Sequence, residues 1–296
     1  MGTALGRGHG RAVTALDIGI AFDLRSDFAD DPDGPDDALE EYESEETIVA
    51  IAGALERAGY QARPLGGGRR LVRALLDEPP KLVFNISEGR GGRSREAQVP
   101  AVCELLDVPY THSDPLTLAA SLDKDVAKRL VAAAGVPTPY HVVCNGRVDN
   151  LESLALPAVV KPLTEGSSKG IRGPCLVADT RDLVAVIRRL EADYDQPVIV
   201  EEFCPGREIT VAVLGTGDGA RAIGAMEIEL RAGDRLYSVD VKRDFKARVR
   251  YHVPPRSHAA EAEAVAVAAH RALGCRDVSR VDLRGGRLWA GRLPRD

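Results

Sequence analysis

The strongest constraint on how this chain can fold is a change of pattern part-way along it. Through residue 112, short β-branched runs alternate with helical periods. Residues 13–24 read as a first strand. Ser44 can cap a helix on which Ile48, Ile51, Ala52 and Leu55 share one face and which Gly59 ends. A strand over residues 61–65, a helix over 69–76, the strand KLVFNI (81–86) and the helix REAQVPAVCELLDV (95–108) follow. Alternation of this kind builds a parallel, doubly wound sheet. Two helices, DPLTLAASL and DKDVAKRLVAAAG, close that regime at Gly135 and Pro137. LPAVVKPL, GIRGPCLV, PVIVEEF, REITVAVLG and ARAIGAMEIEL then succeed one another as strands with glycine-bearing turns, interrupted by a single helix over 180–194. An alanine-rich helix (258–273) leads into the closing strands. The expectation is an α/β lobe followed by two α+β lobes, the second part mostly antiparallel, with no internal repeat.

Composition removes several function classes. With 44% apolar and 28% charged residues the 296-residue chain is ordinary for a globular protein. No apolar run approaches the ~18 to 20 residues of a membrane span, and the N-terminal stretch lacks the marks of a signal peptide. Five cysteines, odd in number and far apart with no CxxC pair, point to neither a zinc knuckle nor a disulfide framework. Reduced thiols and a cytoplasmic location are expected. A net charge of −6 argues against a nucleic-acid partner. Much of the acid sits in DFADDPDGPDDALEEYESEE (27–46), which reads as a solvated, mobile loop because clustered like charge repels. Only seven of the 39 basic residues are lysine (81, 124, 128, 161, 169, 242 and 246), a bias that reserves the compact ammonium for special positions.

Three stretches carry chemistry. In VVKPLTEGSSKGI (159–171) a strand ends at Lys161 and a small-residue loop, Glu165 to Gly170, turns back. Such a loop exposes consecutive backbone N–H groups able to cradle a polyanion, although a plain flexible hairpin has the same composition. In PVIVEEFCPGREITVAV (197–213) an apolar strand ends in Glu201 and Glu202 and another starts at Glu208. The acids are either solvated strand ends or part of a hinge that meets a purine and its ribose. In SRVDLR (279–284) period two sets Arg280, Asp282 and Arg284 opposite Ser279, Val281 and Leu283. That is either an exposed charge pair or a carboxylate for Mg²⁺ beside an arginine for a developing oxyanion.

Taken in order, these stretches resemble the D-alanine–D-alanine ligase family of ATP-grasp enzymes. The segment NISEGRGGRSREAQVPAVCELLDVPYTHSDPLTLAASLDKDVAKRLVAAAGVPTP (85–139) looks like the family's link into the ATP-grasp fold, and KPLTEGSSKGI, VEEFCPGREITVAV and RVDL follow in family order. The likeness covers roughly residues 80–284. It implies a first α/β domain over 1–112 carrying the acidic loop 27–46, a central ATP-grasp lobe over 113–200 and a C-terminal lobe over 201–296. It implies that Lys124 and Lys161 hold ATP phosphates, with the loop Glu165, Gly166, Ser167 and Ser168 closing over them. Glu201, Glu202 and Phe203 would form the adenine-facing hinge, Glu208 would reach the ribose, and Lys242 would sit on a lid spanning 237–250. Arg280 would stabilise the oxyanion, Asp282 would bind metal, Ser167 would help place substrate, and Glu45 and Glu46 would contribute to the substrate site.

The implied activity is ATP-dependent ligation of a carboxylate to an amine through an acyl phosphate, giving ADP and a dipeptide for the cell wall. ATP, Mg²⁺ (with Mn²⁺ as a substitute), small amino-acid substrates and a homodimer are implied with it. Two departures stand out. Where relatives begin with GGxSxE this chain reads FDLRSDF, and its last stretch, GRLWAGRLPRD, lacks the Glu-x-Asn of the family's next strand. An incomplete C-terminal lobe is therefore expected, with Asp282 as the remaining family metal ligand. A ligase for other amino acids in metabolite assembly, or a nucleotide-binding remnant of impaired activity, stands as the alternative.

Overall fold

The structure is a computed structural model describing residues 15–29, 32–148, 150–231 and 233–286; the closing stretch GRLWAGRLPRD lies outside, but for its first residue, Gly286. The first unit is β1 (Asp17–Ala21), α1 (Glu45–Arg57), β2 (Gln61–Gly66), α2 (Gly68–Asp77), β3 (Leu82–Asn85) and α3 (Gln98–Leu105). Its three strands lie in the order β2-β1-β3, all parallel. α1 buries the expected face, with Ile48, Ile51, Ala52 and Leu55 against Ile20 and Phe22. On the other side Leu71, Leu75, Val99 and Cys103 close a second cluster over Ala21 and Val83. Helices thus cover both faces, as parallel sheets require. Gly19 allows the tight fit, since a Cβ there would come within 2.4 Å of Leu65 Cδ1.

α4 (Pro115–Leu122) and α5 (Lys124–Ala133) lead to β4 (His141–Cys144), β5 (Ala158–Pro162), β6 (Leu176–Val177), α6 (Thr180–Tyr194) and β7 (Val198–Glu202). These four strands form an antiparallel sheet, β4-β7-β5-β6. α6 spans the residues expected of it and packs Leu183, Val186, Ile187 and Leu190 on Val160, Val198 and Val200. The strand expected over 170–177 shrinks to Leu176–Val177, because Gly173–Cys175 forms a single 3₁₀ turn. β4 was not anticipated.

The last unit is β8 (Glu208–Leu214), β9 (Arg221–Leu230), α7 (Val239–Arg243), α8 (Phe245–Arg248), β10 (Val249–His252), α9 (Arg256–Ala272) and β11 (Val278–Arg284). Its sheet runs β10-β9-β8-β11, antiparallel throughout. The alanines of α9 let that helix lie close, with Ala262 and Ala266 against Ile209, Val211 and Val213. Among the described residues no helix is long and apolar enough to cross a membrane. The mixed architecture, parallel first and antiparallel after, is the one expected.

The acidic run departs from expectation. Asp37 is fully buried and Glu41 nearly so. These two acids are not solvated, because arginines and backbone amides from the rest of the fold neutralise them, while Asp27, Asp36, Glu45 and Glu46 stay exposed.

Candidate functional site

The two antiparallel sheets line a cleft of about 810 Å³. Strand periodicity decides what enters it. On β5 Val160 packs beneath α6, so Val159 and Lys161 face the cleft; on β7 Val198 and Val200 pack, so Ile199 and Glu201 face it. The register sets Val159 opposite Glu201 and Lys161 opposite Ile199. Lys161 and Glu201 are therefore diagonal neighbours, and Lys161 Nζ donates to Glu201 Oε1. The other carboxylate oxygen lies 2.9 Å from Lys128 Nζ. Burial opposes ionisation of Glu201, but Lys161 and then Lys128 outweigh it and hold its pKa at about 2. Glu201 is no solvated strand end.

Asp123 caps α5 by accepting from the N–H groups of Asp125 and Val126. Lys124 and Lys128 then lie one turn apart on the same helical face. Lys124 Nζ donates to the carbonyls of Leu163, at 3.2 Å, and Glu165, and pairs with no carboxylate of a described residue. Burial, followed by repulsion from Lys161, lowers its pKa to about 7.

The loop after β5 holds an unusual backbone. Ser167 (φ 47°) and Ser168 (φ 63°) are both left-handed, and Gly170 (φ 74°) follows. Lys169 N–H donates to Gly166 O and Ile171 N–H to Ser168 O, each at 2.9 Å. The Ser167 and Ser168 N–H groups bond to no other described residue. Below the loop, Glu165 accepts from Lys169 Nζ at 2.5 Å and from Gln196 at 2.7 Å. Burial pushes against its charge, yet Lys169 and then Arg95 keep the carboxyl below its usual range.

The acidic segment meets this loop from the first unit. Glu41 accepts from Gly166 N–H and from Arg95 Nη2 at 2.7 Å, with Lys169 Nζ at 3.5 Å. Asp37 accepts from Gly170 N–H at 3.0 Å and from the Tyr194 hydroxyl at 2.6 Å. Asp36 and Glu40 pair with Arg243 of α7 at 2.9 and 2.6 Å.

The opposite wall is β8 and β11. Their register sets Asp282 opposite Thr210 and Arg284 opposite Glu208. Arg280 grips Asp282 through Nε and Nη2, both at 3.1 Å, and Thr210 donates to the same carboxylate at 2.7 Å. Burial raises the Glu208 carboxyl, against the pull of Arg284 3.2 Å away. The Phe203 ring takes cation–π contacts from Arg235 and Arg284, at 4.9 and 4.7 Å. The N–H groups of Glu202 and Phe203 are engaged by the carbonyls of Tyr140 and Pro157. Over the cleft, Lys242 stands 5.3 Å from the Tyr237 ring centroid, and burial, then Arg280, lowers its pKa. The lid segment 237–250 contains the two short helices α7 and α8 rather than an open loop, and Ser168 Oγ donates to Tyr237 O at 2.9 Å.

Lys124, Lys161, Glu165, Gly166, Ser167, Ser168, Glu201, Glu202, Phe203, Glu208, Lys242, Arg280 and Asp282 all line this one cleft. Glu45 and Glu46 do not. They are exposed in the first turn of α1, behind the Ser44 cap. Sequence reasoning passed over Lys128, legible as the residue one turn after Lys124. It also passed over Thr210, Arg95 and Glu41, for which no local signal existed. Among the described residues no group of three or more side chains could enclose a metal unaided.

Comparison with known proteins returns one theme. The family model described as "D-ala D-ala ligase C-terminus" matches residues 130–287. The D-alanine–D-alanine ligase of Paramagnetospirillum magneticum is 40% identical over 256 residues, covering 83% of this chain and 78% of that one. That of Rhodospirillum rubrum is 37% identical over 244 residues, covering 80% and 76%. Among solved structures, the Bacillus anthracis D-alanine–D-alanine ligase complexed with ATP superposes with a TM-score of 0.65 at 20% identity, over 93% of this chain and 83% of that one. The VanG D-Ala:D-Ser ligase of Enterococcus faecalis gives 0.67 at 22%, over 93% and 88%. At those identities the structural likeness speaks for the fold.

Proposed function

This chain belongs to the D-alanine–D-alanine ligase family, and we propose that its cleft binds ATP and joins two D-alanines into the dipeptide used for peptidoglycan precursors. One observation carries the reading. Of the seven lysines, five (124, 128, 161, 169 and 242) line a single cleft, and two of them, Lys124 and Lys242, make no ion pair with a described residue. Lysines left uncompensated at such cost in burial are suited to an anion that arrives with the substrate.

The parts divide by chemistry. Lys124 and Lys161 take phosphate oxygens, and Glu201 keeps Lys161 and Lys128 side by side despite their like charge. The Ser167 and Ser168 N–H groups, which bond to no other described residue, add neutral donors beside the lysines. Glu202 and Phe203 border the purine, and Glu208 lies where ribose hydroxyls would reach it. Asp282 offers a carboxylate to the same cleft, which fits the one or two that a phosphate-borne Mg²⁺ takes from protein. Such an ion neutralises phosphate oxygens.

A carboxylate oxygen of the first D-alanine attacks the γ-phosphorus, and ADP leaves with the electron pair of the broken P–O bond. The amine of the second D-alanine then attacks the acyl carbon and phosphate departs, the amine giving up a proton. Arg280, at the cleft wall, holds the negative oxygen formed on the tetrahedral carbon, and Ser167 helps hold the first carboxylate. The acyl phosphate must be kept from water, which is the task of the α7–α8 lid and its lysine.

The test is ADP release from Mg·ATP with D-alanine, with D-serine and with neither, alongside ATP titration of Lys124→Met. D-alanine-stimulated release, with ATP binding weakened at least about tenfold by the substitution, is expected. An unchanged ATP dissociation constant in Lys124→Met would overturn the site, and stimulation by D-serine alone would overturn the substrate.

A further inference from the structure

Asp37 and Glu41 take no part in the reaction just described, yet they are among the most buried carboxylates of the chain, at 0% and 7% exposure. The segment bearing them leaves the end of β1 and returns to the start of α1, and its two ends are stitched together. Arg25 N–H donates to Glu43 O and Glu43 N–H to Asp23 O, each at 3.0 Å. Phe28 stacks on Tyr42 at 3.9 Å, with Arg90 over Phe28. The two ends of the segment are thereby held together beside the first sheet, and Asp37 and Glu41 reach the 165–170 loop.

We propose that Asp37 and Glu41 are positioning residues for the nucleotide: the acidic segment is a strap that holds the 165–170 loop in its phosphate-receiving shape. The proposal rests on the ATP-site reading above. Glu41 fixes the N–H of Gly166 and Asp37 that of Gly170. Those two bonds bracket Ser167 and Ser168, both in a backbone form that L residues keep only when their surroundings impose it. The bracketed pair retains the N–H groups free to meet phosphate. Each strap acid must be a carboxylate. Asp37 serves Gly170 N–H, the Tyr194 hydroxyl and Arg172, and Glu41 serves Gly166 N–H, Arg95 and Lys169, more donors than a single amide oxygen can satisfy. The neighbouring pairs of Asp36 with Arg172 and Arg243 are more exposed, where solvent screens them, so the buried acids do the holding.

The experiment uses the full chain with Asp37→Asn and Glu41→Gln singly, and Glu43→Gln as a control outside the contacts. Amide hydrogen exchange is followed without nucleotide, and KM is measured for ATP and for D-alanine. Exchange across 165–171 is expected to quicken, and KM for ATP to rise about tenfold, with KM for D-alanine, whose carboxylate meets only Ser167 of that loop, rising less. Wild-type exchange across the loop in variants that fold would overturn the strap. Should both acid variants fail to fold, Gly166→Ala takes their place. Its Cβ would stand 2.8 Å from Glu41 Oε1 and push that carboxylate away without removing a charge. Unchanged exchange at Ser167 to Lys169 would then be the refuting result. The two readings separate cleanly. Faster exchange with ATP binding untouched by Lys124→Met keeps the strap and removes the ATP site; the converse removes the strap alone.

Discussion

Lys161, Glu201 and Lys128 show why a single substitution in this cleft has to be chosen with its neighbours in view. Truncating Lys161 removes a proposed phosphate ligand and also leaves a carboxylate of pKa about 2 with one counter-charge instead of two. Part of any loss would then be instability, since breaking a buried pair costs about 3–5 kcal/mol. Lys124 is the cleaner probe, because its partners are carbonyls that lose a donor but strand no charge. Its lowered pKa also gives a signature. Near pH 7 the free side chain is half protonated, and bound phosphate favours the charged form, so binding takes up a proton. ATP affinity is expected to fall by up to about tenfold per unit as pH rises above 7, and Lys124→Met to abolish that slope. Titration calorimetry in buffers of different ionisation enthalpy reads the proton directly. A pH-independent affinity in the wild-type chain would contradict the assignment.

Among the elements, the loop after β5 is the one where backbone geometry bears most on function. Gly170 combines a φ of 74° with a position where a Cβ would lie 2.6 Å from Pro162 Cδ and Cγ. Gly170→Ala is expected to cost about 2–4 kcal/mol, from the left-handed penalty and the clash together. Urea unfolding measures it, and a loss under 1 kcal/mol, about the worth of ordinary glycine replacement, would mean that the loop relaxes freely. The same geometry explains a misread strand. GIRGPCLV has strand-like composition, but Cys175 must stay within reach of the Gly170 carbonyl, 3.0 Å from its Sγ, and the intervening residues turn instead of extending. Helices α7 and α8 were missed for a related reason, being only five and four residues long and anchored by pairs of Arg243 with Asp36 and Glu40 and of Arg248 with Asp234 rather than formed by propensity.

At the scale of the whole molecule the first unit adds titrating groups of its own. Burial, then Glu96, raises Glu88 to about 8, and burial raises Glu96 to about 7. The folded state holds protons that the unfolded chain releases above pH 4.5, so stability from these two groups is full below that value and declines as pH climbs toward 8. Glu201 works the other way, its contribution lost only as pH falls from 4.5 toward 2. Chemical unfolding across pH 5 to 7, below the range where Lys124 loses its proton and works the other way, is therefore expected to show falling stability, and Glu88→Gln to recover roughly 1–3 kcal/mol of it at pH 7. A profile unaltered by that substitution would show that Glu88 titrates normally.

Much of this protein was settled by sequence alone, because strand and helix periods are local. Period two placed Arg280 and Asp282 on one face of β11, and the 3.6-residue period placed Ile48, Ile51 and Leu55 on one face of α1. The order of three short motifs set the family and the roles to look for, and the scarcity of lysine marked five residues of the cleft before any fold was known. Tertiary structure alone decided the fate of the acidic run. Its carboxylates looked mutually repulsive along the chain, but their partners Arg95, Lys169, Arg172, Tyr194 and Arg243 lie from about 50 to 200 residues away. Charge compensation acts through space and leaves no trace in a local window. That is why Glu45 and Glu46, the acids beside a visible helix cap, drew the eye, while Glu41, four residues earlier, is the one that reached the site.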